Sequence, residues 1–204
     1  NVILNRVDSI APGDTVLLIQ MKGAIIYEVD TSSYGSYRES LGVPGSSEFL
    51  IVESVNTGTK RVTFTNDISR SYNIAGLVQL IRVPSYHSVS IKADLTCQRW
   101  DSTKKTGGVL AMIVERNLSL NANIDVTGKG FAGGATSLGQ GICLESNSAL
   151  YDKFSYPVSY TNSGYKGESQ TIKVFIDVSN MPSYFPVYGR GKGNNFTGGG
   201  GGNG

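Results

Sequence analysis

Residues 124–134 read IDVTGKGFAGG and place Gly128, Gly130 and Gly133 in a G-x-G-x-x-G spacing, directly after the alternating run LSLNANIDV. Two folds compete for this stretch. If a helix opens at the third glycine, its free N–H groups and positive dipole end hold a pyrophosphate, and the chain is an α/β dinucleotide binder. If none opens, the glycines only turn the chain between strands. The next residues, ATSLGQGICLESNSALY, put Gly139 and Gly141 where the first helical turns would be, and each interior glycine costs roughly 1 kcal/mol relative to alanine. The acidic residue expected about 20 positions further on has only Glu145 and Asp152 as candidates, neither at the end of a clear second strand. The stretch therefore predicts a turn that needs positive φ, and no cofactor is called for.

Working outward, strand-like alternation dominates. In DTVLLIQM, Val16, Leu18 and Gln20 oppose Thr15, Leu17 and Ile19, so both faces are largely apolar, as in a strand buried on two sides. EFLIVESV and KRVTFTNDI follow, separated by Asn56-Thr57-Gly58, which predicts a hairpin. GLVQLIRV completes a small, mainly antiparallel barrel-like or sandwich-like part, residues 1–86. The insert DTSSYGSYRESLGVPGSS, residues 30–47, reads as a long polar loop carrying tyrosines.

From residue 87 the pattern becomes repeated single strands without tight hairpin turns. SVSIKADLT puts Val89, Ile91, Ala93 and Leu95 on one face; NLSLNANIDVT does the same with Leu118, Leu120, Ala122, Ile124 and Val126; GGVLAMIVE lies between them. Runs recurring at such distances predict rungs of a parallel β-helix, with a β-sandwich as the alternative. This part spans residues 87–188, with TIKVFIDV its one clear late strand. A glycine-rich tail, GRGKGNNFTGGGGGNG, fills residues 189–204. Such a tail is ordinarily a linker, and if ordered it must satisfy its backbone groups against other strands or a partner. The expected class is all-β throughout.

Bulk properties narrow the function. The 204 residues carry a net charge of +2, with basic and acidic residues interspersed, which argues against nucleic acid as a partner. No apolar run reaches the roughly 18 residues of a membrane-spanning helix. The chain starts at Asn1 and stops inside a glycine run, so it reads as a mature protein or a piece of a longer one. Cys97 and Cys143 fit one disulfide or two thiols, and no zinc spacing.

Reactive chemistry finds few residues. His87, the single histidine, lies in VPSYHSVS and reads as an exposed loop residue; no G-x-S-x-G elbow accompanies it. Metal sites built on histidine and cysteine fail on counting, although Asp30, Asp125 and Asp177 remain of the type that calcium takes. Asp94, Asp101, Glu115 and Asp125 lie in or beside the proposed rungs, where a glycosidase or lyase would need two acids converging; a solvent-facing role is the default for Asp94 and Asp125. Trp100 is either a platform for a sugar ring or the cap of a core, and the cap is favoured because large aromatics are mostly buried. Tyr34 and Tyr37, with Trp100, form the candidate ligand-binding surface; Tyr151, Tyr156, Tyr160 and Tyr165 follow in the irregular part. Asn117 and Asn195 head N-x-S/T sequons. No catalytic residue, metal ligand or cofactor site is assigned.

Several phrases together carry a resemblance. GDTVLLIQMKGA, EFLIVESV, GLVQLIRVPSY, WDSTKKTGGVLAMIV, LSLNANIDVTGKGFAGG, GYKGES and GRGKGNNFTGGGGGNG resemble, in that order, the N-terminal region of large secreted surface proteins of Bacteroidota. These are adhesin-like, often described as gliding-motility-associated, and exported by the type IX secretion system. The likeness covers nearly the whole chain, though Cys97 and Lys104-Lys105 stand where the family commonly has small or polar residues. The resemblance implies a secreted or cell-surface location and a parent protein that continues into a longer glycine-rich stretch, repeats and a secretion-directing domain. It supplies no catalytic residue for this region. The expected function is a non-enzymatic adhesin or structural module, with other segments of the parent protein, secretion or outer-membrane proteins and surface glycans as partners. The alternative is a polysaccharide-binding or polysaccharide-degrading β-helix using Trp100 and nearby acids.

Overall fold

The run DTVLLIQM becomes the centre of an open sheet. The computed structural model describes residues 1–27, 32–33, 36–133 and 168–172. Its strands, in chain order, are β1 (Val2–Ile3), β2 (Thr15–Gln20), β3 (Ala24–Ile26), β4 (Tyr37–Ser40), β5 (Ser47–Asn56), β6 (Arg61–Phe64), β7 (Val78–Val83), β8 (Ser85–Ile91) and β9 (Ile113–Leu120). Among the described residues there is no α-helix, only a 3-10 turn at Ile74–Gly76. The described part of the protein is all-β.

Five strands form an antiparallel sheet in the order β1-β6-β5-β2-β7, which ends at β1 and β7 without closing into a barrel. β2 pairs with β5 on one side and β7 on the other, and both of its faces are largely buried, Val16 and Leu18 on one and Leu17 on the other, in keeping with a sequence that is apolar on both. One face carries the core: Val16, Leu18, Leu50, Val52, Val62 and Phe64 pack with Val7 from the N-terminal segment. Each such side chain, fully buried, contributes about 1.5–3 kcal/mol. The other face buries Leu17 and Val83 but leaves Phe49 and Ile51 about half exposed. β5 and β6 are joined as the Asn56-Thr57-Gly58 signal predicts. The turn runs through residues 57–60, Lys60 takes the left-handed conformation at φ 53°, and the Asn56 side chain accepts the Thr59 N–H at 2.9 Å.

β7 runs through Pro84 directly into β8, and the architecture changes there. β8 pairs with β9 in parallel. Cross-strand partners stand first 28 and then 29 residues apart, as the contacts His87–Glu115 and Ser88–Asn117 show. The alignment persists beyond the strands: Leu95 bridges Ile124 in parallel, and the Trp100 N–H donates to the Lys129 carbonyl at 2.8 Å. Two of the three expected runs thus lie side by side, SVSIKADLT against NLSLNANIDVT. The third is not a separate layer, because the end of GGVLAMIVE is the first part of β9 itself. A register shift between Tyr86 and Ser88 explains the misreading. At Glu115–Arg116 the apolar alternation slips by one residue, and a β-bulge lets a single strand carry both phases.

β3 and β4 form a separate antiparallel pair. β4 lies inside the insert read as a loop, so that stretch is partly strand. Thr171 adds beside Ala24 of β3 in parallel. The chain groups into two compact units, Asn1–Met21 with Gly42–Gly130, and Lys22–Leu41 with Phe131–Gly204; β3 and β4 belong to the second. The change of pattern read at residue 87 falls within β8 of the first unit. The tail at 189–204 and the run TIKVFIDV beyond Ile172 lie outside the described residues.

Candidate functional site

Gly128 sits in a turn, and the residues after Gly133, where a phosphate loop would open a helix, lie outside the described residues. Val126 accepts the Lys129 N–H at 3.0 Å, and Gly128 between them has φ 65°, the positive value that the third position of a type II turn requires. Asp125 supports it by accepting the Thr127 N–H at 2.8 Å. Gly130 follows with no helix, and an added Cβ there would meet nothing, so its backbone makes no close approach that demands glycine.

Of the residues of the proposed ligand surface, Tyr34, Tyr37 and Trp100, the last is 4% exposed and therefore part of the interior rather than a platform. Tyr37 is 66% exposed on β4 and belongs to the other unit. Tyr34 lies outside the described residues, as do Tyr151, Tyr156, Tyr160 and Tyr165. The segment after Trp100 is held by a buried amide. Gln79 of β7 accepts the Gly107 N–H through Oε1 at 2.9 Å and donates from Nε2 to the Gly107 carbonyl at 3.2 Å, so both polar ends of a 7% exposed side chain are satisfied.

The four acids near the stacked strands each serve a local neighbour. Asp94 accepts the Asn123 N–H at 3.0 Å. Asp101 accepts the N–H groups of Thr103 and Lys104, each at 2.9 Å. These donors, Lys104 first, hold its carboxyl below the usual carboxylate range. Asp125 is likewise lowered, by the Thr127 hydroxyl and then by its N–H. Carboxylates kept ionised in this way stabilise turns; a general acid needs the opposite shift. Glu115 lies 3.0 Å from His87 Nδ1. His87 is exposed, as expected, but sits on β8 rather than in a loop. Asn117 is exposed on β9, in agreement with the strand read for the first sequon.

Among the described residues no three His, Cys, Asp or Glu side chains group as metal ligands. Asp30 and Asp177 lie outside them, as do Asn195 and Cys143; Cys97 is a half-buried free thiol. No family model, curated protein or solved structure matches the chain. No described helix is long and apolar enough to cross a membrane.

One cluster gave no sequence signal, because its members are remote in the chain. Lys22, 5% exposed, faces Glu168 at 3.6 Å and lies over the ring of Phe131. A lysine beside a strand ordinarily reads as solvated, and only the fold shows that this one is enclosed.

Proposed function

We propose that the chain is a non-enzymatic module of a large secreted protein, an adhesin or structural segment displayed at the cell surface, with β8 and β9 as the first rungs of a parallel β-solenoid. The observation that supports this most is the constant 28–29-residue parallel alignment from Ser85 to Trp100 against Ile113 to Lys129. Layers of this kind stack into stiff rods that hold loops away from a surface. The antiparallel sheet, continuous with β8 through β7, gives such a rod a finished end, and a parallel stack needs one to avoid an open edge. The ordered series of phrases resembling Bacteroidota surface proteins supports export by a type IX-like route and a link to gliding or adhesion. Other segments of the parent protein, secretion or outer-membrane proteins and surface glycans are its proposed partners.

The glycan-active alternative is weakened, since Trp100 is enclosed and each of the four acids is engaged with another partner, Asp101 and Asp125 in turns, Asp94 on Asn123 and Glu115 on His87. The test is protease shaving of intact source cells, followed by peptide mapping and mass measurement of the native polypeptide. The reading expects peptides from residues 1–130 among those released, within a chain much longer than 204 residues. A protected, cytoplasmic protein of about this length would overturn it.

A further inference from the structure

Lys22 is the one charged residue that is buried among those described. Its Nζ lies 3.6 Å from Glu168 Oε1 and 4.8 Å from the centre of the Phe131 ring. Glu168 is held from its other side. The Ala132 N–H donates to its Oε2 at 3.0 Å, and its own N–H donates to the Ala132 carbonyl at 2.8 Å. The backbone on both sides of the pair is pinned, since Gly23 and Ala24 both donate to the Gln170 carbonyl and Ile172 donates to that of Ala24. All these residues belong to one unit. Buried ion pairs lose much of their attraction to desolvation. This one carries a further feature: an amine and a carboxyl group are held close together, with an N–H donor on the carboxyl oxygen that does not face the amine.

We propose that Lys22 and Glu168 condense into an intramolecular amide that clips the two segments together. A proton passes from Nζ to Oε1, leaving a neutral amine and a carboxylic acid. The nitrogen lone pair attacks Cδ, and the C–N bond forms. The negative charge collects on Oε2, where the Ala132 N–H already points, as an oxyanion donor must. The Cδ–Oε1 bond then breaks, and Oε1 leaves as water with the proton it received and one from the nitrogen. Fixed proximity supplies the driving advantage, because a bimolecular condensation becomes intramolecular. The product removes the buried charge of Lys22 together with that of its half-buried partner. The inference is independent of where the protein is displayed.

The test is the intact mass of the purified full-length chain under denaturing conditions, with a tryptic map. The expected result is a mass lower by one water, no cleavage after Lys22, and a branched peptide containing Lys22 and Glu168. Chains carrying Lys22→Arg or Glu168→Ala should show the full sequence mass. Full mass in the unaltered chain, with linear peptides ending at Lys22, overturns the proposal, as does a lost water that maps elsewhere. Because the readout is covalent, it holds even if either variant folds poorly.

Discussion

Gly107 shows how one missing side chain fixes a junction. Its φ is 97°, and a Cβ placed there would collide with the carbonyl oxygen of Arg99, while its N–H and C=O are both taken by Gln79. Gly13 has a similar φ of 87° but faces open space. Gly107→Ala therefore pays for strain and displacement together, and Gly13→Ala for strain alone. In urea unfolding we expect losses of roughly 3 kcal/mol and about 1 kcal/mol respectively; equal losses would show that the Gln79 junction gives way freely. At this scale the sequence was legible where chemistry is local. Gly128 announces its turn because nothing but a positive φ was needed there. Trp100 could be weighed as a cap from its size, but Gln79 in an apolar strand and Lys22 beside one gave no sign of their distant partners.

β2 and β7 are tied at their ends by a carboxylate. Asp14 accepts the Ala11 N–H at 2.8 Å through Oδ2 and faces Arg82 Nε at 2.9 Å through Oδ1. The Ala11 hydrogen bond, ahead of Arg82, holds its carboxyl below the usual carboxylate range, against an opposing push from burial. A lowered folded-state pKa means that the unfolded chain binds the proton more readily. The stabilisation is therefore complete above the unfolded value of about 3.9 and is lost as pH falls through the folded one. Asp14→Asn should flatten the acid limb of a stability–pH profile measured by denaturant unfolding, with little change in its shape near neutrality. Parallel profiles for the two chains below pH ~4 would exclude this role. Elements were legible where pattern and pairing agree: two apolar faces marked β2 as central, and Asn-Thr-Gly marked the β5–β6 hairpin. They were illegible where a bulge changed the phase, so that β9 reads as parts of two runs, and where β4 hides in a polar insert.

Across the whole molecule, what alternation could not separate was sandwich from solenoid, since both bury every second residue. Strand pairing distinguishes them, because a solenoid needs a third strand parallel to β9 and a sandwich does not. β8 meets β9 in parallel, and this is a tertiary choice that composition does not encode. The apolar row on β9 and beyond, Leu118, Leu120, Ile124 and Val126, is 41–55% exposed, whereas the corresponding residues on the β8 side, Val89, Ile91 and Leu95, are half-buried. In a parallel strand, successive N–H groups point alternately to the two neighbours, so β9 offers one set to β8 and another to its outer edge. Native-state hydrogen exchange reads the two sets separately, and protection measures how rarely each bond opens. β2, paired on both sides, sets the upper reference, and the short β1 the lower. The solenoid reading expects both sets of β9 amides to approach the protection of β2, as happens when a further layer covers the edge. Protection confined to the β8-facing set would end the stack at two layers and leave β9 an edge strand, and the rod on which the proposed display function rests would lose its basis.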